Sequence, residues 1–445
     1  MAQPDPRSLS AALWPHRTPA FAGGLSLRGQ GNADVVIVGA GYSGLSAALH
    51  LAELGYEVAV IESGRPGGGA SGRNAAGWIP AYLDRTPDNV EGLLGGAEGR
   101  ALNMMIAEGA RLVPALIEAH GMAADMRRSG ILVASGAPKE AGGLRALAAS
   151  WNARDGHVDF VDHAEVCRIT GSGRFSQGLL YRDAGTLDPF AYATGLAEAA
   201  CDAGAAIYCG QPAIGVDRDG QGWRVRTPAG ELVASHILIA TEGYEANATL
   251  WPGLERCCYH VPMAMIASEP APEIAARMMP AGIPVSDTNK SNPFWSMADA
   301  DGRIVASLLP PRRYGVSARE VARPYEAKLR RLYGDVPALR WSHFWVGTVA
   351  ISAERIPRLL SLAPGVHAIG GFSGQGIGAA TAAGREYARL IDAGGDSGAC
   401  RLPIFEPRAL PLPRAIPFLI RHVAAPLGRA TDSSYRRLPS AFQEN

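Results

Sequence analysis

The chain has 445 residues, 47% of them apolar and 19% charged; this excludes a disordered protein and allows more than one hydrophobic core. Lys+Arg and Asp+Glu balance at 42 each, so charge gives no reason to expect a nucleic-acid partner. The cysteines (Cys167, Cys201, Cys209, Cys257, Cys258 and Cys400) form no CxxC and no Cys/His cluster of zinc spacing, so they read as reduced thiols and no metal site is expected.

Residues 1–32 read as an irregular arm: Pro4, Pro6, Pro15 and Pro19 forbid a long helix, and Trp14 is placed to pin the arm to the body. The start of the chain lacks the long apolar stretch of a secretory signal. No run of about 18 apolar residues occurs, so no membrane span is expected and cytoplasmic is the default localisation.

The stretch DVVIVGAGYSGLSAALHLAELGYEVAVIE, Asp34 to Glu62, has the order of a complete βαβ dinucleotide-binding unit. Its apolar run from Val35 predicts a buried parallel strand. Gly39 permits the tight turn, Gly41 lets backbone approach a pyrophosphate, and Gly44 lets the helix pack on the strand. The pyrophosphate is expected on the N-terminus of the helix, which ends at Gly55. Glu62 closes the second strand and can accept from ribose hydroxyls, which argues against a 2′-phosphate and so against NADP.

The glycine-rich segment after Glu62 leaves backbone free to wrap a ligand, with Ser71, Arg73 and Asn74 as donors. A helix is predicted over 98–119, bent at Pro114, then a strand over 130–134 and a helix over 139–153. Asp188 followed by Pro189 marks a helix start, with Asp as N-cap and Pro at the first helical position. A three-stranded meander follows, turning at Asp219–Gly220 and Ala229–Gly230 and ending in HILIA before Thr241. Residues 256–347 alternate and carry aromatics, as half-exposed antiparallel strands do, with a hairpin at Asp301–Gly302 and a helix over 318–333. VHAIGGFSGQGIGAATAAGREYARLI then predicts strand, glycine loop and helix, without a second acid-terminated strand. One fingerprint plus a distant glycine-lined helix start suits a single large dinucleotide such as FAD better than NAD. The tail carries Ile416, Leu419, Ile420, Val423 and Leu427 on one helical face; docking on its own second domain is expected, with a membrane-surface helix as the alternative.

These pieces resemble the D-amino-acid-oxidase superfamily of FAD-dependent oxidoreductases over roughly residues 34–391. The segments that carry the resemblance are GAGYSGLSAALHLAELGYEVAVIE, GASGRNAAGW, GTLDPFAYATGLAEAA, ASHILIATEGY and GFSGQGIGAATAAGREYA. GASGRN and ISAERIPRL are most similar to the subgroup of γ-glutamylputrescine oxidoreductases and related amine oxidases. The resemblance implies an α/β fold: a Rossmann-type, glutathione-reductase-like FAD domain and a second α+β substrate domain on an antiparallel sheet. The expected division is 33–85, 175–255 and 345–395 for FAD, 86–174 and 256–344 for substrate, and 396–445 for the tail.

The resemblance implies cofactor contacts at Gly39, Gly41, Tyr42, Ser43, Gly44, Glu62 and Ser63, then at Gly69, Ala70, Ser71, Arg73 and Asn74. It adds Ala213, Ile214, Thr241 and Gly243, and last Gly371, Gly374, Gln375, Gly376 and Ile377, where a helix N-terminus aims at the flavin pyrimidine edge. GASGRN holds no Cys or His, so the FAD is expected to be non-covalent there. The sequence departs from the subgroup at Gln375, where a histidine is usual, at Glu242, where a neutral residue is common, and in the Ala306–Leu308 hairpin arm, where relatives end in paired glycines.

The family chemistry implied is hydride transfer from the carbon beside an amine to flavin N5, then hydrolysis of the imine. Candidate catalytic residues are Gln375, His260 as proton acceptor and Trp345; candidate substrate contacts are Trp78, Tyr259, Trp295 and, for a carboxylate, Arg303. His343, Phe344 and Trp345 alternate on one strand, so neighbours among them face opposite ways. The readings left open are an oxidase of amines or amino acids using O2, a dehydrogenase passing electrons to a quinone or carrier, and a flavoprotein without redox turnover.

Overall fold

The computed structural model describes residues 5–220, 222–244, 250–289 and 293–431; Pro4 and the tail beyond Thr431 lie outside the described residues. The strand Gly29–Val38 is exposed in its first half and fully buried over its last four residues, the apolar run seen in sequence. Gly39 turns the chain at φ +107°, and the helix Tyr42–Glu53 follows until Gly55 at φ +88°. The next strand is Val58–Ile61.

Among the described residues nine strands form the first sheet. Its parallel centre runs Val366–Gly370, Gly230–Ile239, Gly29–Val38, Val58–Ile61 and Ala206–Tyr208 in spatial order. Val38 is level with Ile239 and with Ile61, and Ile239 with Ala368, so Gly39, Ala240, Glu62 and the loop after Gly370 all leave at one edge. That carboxyl edge is where open α/β sheets bind ligands. Helices Tyr42–Glu53, Gly96–Ala119 and Gly376–Asp392 pack together beside this sheet, while Gly215–Asp219 and Gly222–Arg226 complete the expected meander.

Among the described residues eight strands form the second sheet: Trp341–Ser352, Cys258–Pro270, Arg303–Leu308, Trp295–Ala298, Val285–Asp287, Ile131–Ser135, Gln177–Tyr181 and Val158–Val161. All neighbours are antiparallel except Val285–Asp287 with Ile131–Ser135. One face, with Ile266, Ala306 and Phe344, packs against the helix Ala318–Tyr333. The other, with Met265, Val305 and Trp345, packs against the N-terminal arm and the loop before Gly77.

The sheets divide the chain elsewhere than at the expected boundaries. Gln177–Tyr181 pairs in the second sheet, although the sequence places 175–255 with the FAD unit. Trp341–Ser352 pairs along its length with Cys258–Pro270, so 345–352 also belongs there. An apolar alternating strand shows which side chains share a face but not which sheet it joins.

Candidate functional site

The glycine turn is built for close approach. A Cβ at Gly44 would lie 2.1 Å from the Gly39 carbonyl oxygen, and one at Gly39 would lie 2.9 Å from that of Ala240. At Gly41 it would come within 3.0 Å of the Ser71 hydroxyl, which accepts from the Tyr42 N–H at 3.1 Å. Tyr42 itself is buried; its hydroxyl donates to the carbonyls of Ser71 and Pro189, so its side chain clamps the turn while its backbone stands at the helix start. Glu62 accepts from Ala40 N–H at 2.9 Å and Gly64 N–H at 2.8 Å, with the Ser63 hydroxyl at 3.3 Å. The carboxylate thus reaches across the mouth of the turn.

The second segment folds onto the first. Asn74 donates to the Ser71 carbonyl at 2.7 Å and to the Tyr42 hydroxyl at 3.2 Å. Buried Arg73 donates to the carbonyls of Gly68 and Arg7, and its guanidinium lies 5.5 Å from the Tyr244 ring centre. Gly69 also lies under Tyr244, where an added Cβ would be 3.3 Å from the ring. Thr241 packs on the turn, its methyl 3.3 Å from where a Gly39 Cβ would stand. Gly243 faces the Thr348 carbonyl, and Ala70 packs beside it.

The third segment is the loop Gly371–Gln375. Gly371 has φ +86°, and an added Cβ would lie 2.1 Å from the Ile356 carbonyl. Gly374 has φ +92° and faces Val349. Gln375 is the N-cap of the helix Gly376–Asp392, whose first turn, including Ile377, carries no acid. Glu242 turns its carboxylate onto the back of this loop and accepts the Gly371 N–H. Burial pushes that carboxyl up to about 7, against the pull of the Gly371 and Phe372 N–H groups and Arg358. Glu242, Cys258, His260 and Arg358 line a cavity of about 30 Å³ behind the loop, room for one water molecule.

The three segments meet the second sheet at Gly347–Val349. Gly347 packs on Arg73, the Thr348 N–H donates to the Tyr244 hydroxyl at 3.3 Å, and Val349 faces Gly374. Tyr244, Gly347, Thr348 and Val349 were not among the residues picked from sequence. Gly347 had a signal, since a lone glycine inside a strand marks a close approach. Tyr244 had none beyond standing after Thr241 and Gly243.

Several expected site residues lie elsewhere. Trp345 is fully buried, donates its indole N–H to the Arg73 carbonyl at 2.8 Å and packs edge-on against Trp14. Trp78 is buried and donates to the Ala110 carbonyl at 3.2 Å. Trp295 donates to the Ala75 carbonyl at 3.0 Å, with its ring over Gly77. Trp345 and Trp78 back the site from the core, while Trp295 is half-buried. Tyr259 donates to the Pro411 carbonyl in the tail, and His260 lies 3.3 Å from the Glu255 carbonyl. Arg303 donates to the Ser268 carbonyl at 3.1 Å, with Glu269 and Asp301 nearby, at the far end of its hairpin. Ile214 lines a cleft of about 400 Å³ with Gly29, Gln30 and Gly230, at the opposite ends of the strands that lead to Gly39 and Thr241. Ala213 is half-buried against the core of that sheet, and it is Gly210 and Gln211 that bond to the carbonyls of Gly64 and Glu62. Among the described residues no His/Cys/Asp/Glu group could hold a metal ion.

A family model described as FAD dependent oxidoreductase, DAO, matches residues 34–390. The chain belongs to this family. Among its DAO relatives, "Probable oxidoreductase OrdL" of Rhizobium meliloti is 30% identical over 368 residues, covering 81% of this chain and 83% of that protein. "Gamma-glutamylputrescine oxidoreductase" of Escherichia coli is 28% identical over 368 residues, covering 80% and 83%. The crystal structure of glycine oxidase from Geobacillus kaustophilus matches with a TM-score of 0.67 at 21% identity, covering 82% of this chain and 95% of that one, which shows the shared fold. The chain is therefore an oxidoreductase with FAD as its cofactor. The donor set fits that group: backbone N–H at a glycine turn, a carboxylate at the end of the second strand, and a second helix N-terminus free of acids in its first turn.

Proposed function

We propose that the chain oxidises the C–N bond of an amine or amino acid to an imine, which water hydrolyses, with O2 as electron acceptor and peroxide as by-product. When bound, FAD supplies the acceptor for the hydride. The observation that carries the reading is that Gly371–Gln375 and Tyr244 both meet Gly347–Val349 of the second sheet. It joins the dinucleotide segments to an aromatic and aliphatic wall, and the curated Escherichia coli relative is named for an amine substrate.

In this reading the chain's residues bind, orient and exclude water. The N-terminus of Tyr42–Glu53 takes the pyrophosphate and Glu62 the ribose hydroxyls. The N-terminus of Gly376–Asp392 favours negative charge beside it. Gln375 presents a neutral amide at that helix start, so an amine meeting it keeps its lone pair without competition from a cationic side chain. Gly347 and Gly374 let the second sheet pack closely on Arg73 and on the loop Gly371–Gln375, which fixes the two parts of the site against each other.

Anaerobic addition of primary amines, N-methyl amines, γ-glutamyl amines and amino acids to the FAD-loaded enzyme is expected to bleach the flavin absorbance with one of these classes. Absence of bleaching with every class overturns the proposal and leaves a flavoprotein without redox turnover. Peroxide on readmission of air marks the oxidase. Reoxidation only by an added quinone marks a dehydrogenase, the reading favoured by the exposed apolar tail helix. Acid precipitation is expected to release all the flavin, as a non-covalent cofactor requires.

A further inference from the structure

The tail helix is mounted with a polar side chain inwards and an apolar stripe outwards. Residues 415–431 form a continuous rod: Ala415–Leu419, the π-helical Ile420–Ala424, and Ala425–Thr431. It is anchored to the body through Arg421. The Arg421 guanidinium donates to the carbonyls of Pro311 and Arg312 at 2.8 and 2.9 Å and lies 3.7 Å from the Tyr314 ring centre. Leu419, Val423 and Leu427, spaced i, i+4 and i+8, are 46%, 46% and 57% exposed, with Phe418 beside them at 61%. A surface helix normally turns such a stripe to the core. With Leu412, these make five of the twelve large apolar side chains exposed among the described residues, so the exposure is concentrated rather than scattered.

The surroundings select the partner. From Pro407 to Thr431 the sequence holds arginines and no acidic residue, and exposed Arg312, Arg313 and Arg414 flank the helix. A second copy docking here by two-fold symmetry would set two cationic patches against each other. A convex apolar ridge between arginines fits a bilayer with anionic headgroups: the leucines, valine and phenylalanine enter the acyl boundary while the guanidiniums stay at the headgroups. The segment also lies beyond the family match, which ends at residue 390. We propose that this helix docks the enzyme in the plane of an anionic membrane surface. Among the described residues no helix is long and apolar enough to cross one.

The test is flotation of the full-length, FAD-loaded enzyme with vesicles of phosphatidylcholine alone or with phosphatidylglycerol as a third of the lipid. Binding to the anionic vesicles is expected, weakened at least about tenfold by high salt or by removing phosphatidylglycerol. The triple variant Leu419→Ser, Val423→Ser, Leu427→Ser is expected to lose binding by about tenfold or more while keeping its flavin content and melting temperature. Arg313→Glu with Arg414→Glu is expected to lose the preference for anionic lipid. The proposal is overturned if the wild type does not float, if the serine variant floats as well as wild type, or if the wild type is a dimer that this variant makes monomeric. None of these outcomes depends on which substrate the enzyme oxidises.

Discussion

Glu242 carries a carboxyl in a place that disfavours its charge. Burial raises it to about 7, while the Gly371 N–H holds its oxygen against the loop that precedes Gly376. Gly370 makes room for it, since a Cβ there would lie 2.6 Å from the carboxylate. Because the folded value stands above the ordinary carboxylate value, the contribution to stability is complete below that ordinary value. It is lost as pH rises through about 7. Glu242→Gln keeps an acceptor for Gly371 and removes the titration. The wild type is therefore expected to lose stability relative to the variant between about pH 5 and about pH 8. Melting curves of both proteins across that range check this; parallel curves would mean that the carboxyl is already ionised throughout. At this scale the sequence is legible where backbone geometry demands a residue type, as at Gly39, Gly44 and the Asp188 cap, whose side chain accepts from Phe190 and Ala191 N–H groups. It is not legible for the tryptophans. An indole in a pocket wall and one donating to a core carbonyl, as Trp345 does to Arg73, have the same local sequence.

Helices Tyr42–Glu53 and Gly376–Asp392, whose N-termini are proposed to face the cofactor, touch through backbone. A Cβ at Gly384 would lie 2.4 Å from the Ser43 carbonyl oxygen and 2.7 Å from the Ala47 nitrogen. Neither atom can swing aside. Gly384→Val is expected to cost about 2–3 kcal/mol in unfolding free energy, as overpacking does, and to weaken FAD binding by displacing Tyr42 and Ser43. Gly143, inside the helix Ala141–Asn152 with nothing within 4 Å of an added Cβ, supplies the contrast. Gly143→Ala is expected to stabilise by about 0.5 kcal/mol. Denaturant titration of the two variants distinguishes a packing glycine from an idle one, and similar effects in both would refute the assignment. Elements with their own end signals were readable, among them Ala318–Tyr333 and the helix begun by Pro189. Partnership between distant elements was not, because nothing within Gly376–Asp392 names Ser43 as its neighbour.

Trp14, expected from sequence to pin the N-terminal arm to the body, does so. The arm's Pro6 carbonyl accepts from the Val346 N–H at 2.8 Å, and the Arg7 carbonyl from Arg73. The Trp14 indole N–H donates to the Asn74 carbonyl at 3.0 Å while its ring packs edge-on against Trp345. Arg17 pairs with buried Asp299 at 2.8 Å. One short segment thus touches the glycine-rich stretch after Glu62 and the second sheet at once. Trp14→Ala removes a buried ring and is expected to cost about 3–5 kcal/mol. It also loosens Asn74 and Trp345; with the loop holding Arg73 and Asn74 at the cofactor, as proposed, ordering of that loop then draws on binding energy and FAD affinity is expected to fall. Bound ligand stabilises in proportion to the logarithm of its concentration over Kd, about 2.7 kcal/mol at a hundredfold excess. At a fixed FAD concentration the melting temperature difference between holo and apo forms is therefore expected to shrink in Trp14→Ala, and more FAD should restore it. If the arm were only a covering, the variant's apo form would melt with the wild type and its holo–apo difference would be unchanged.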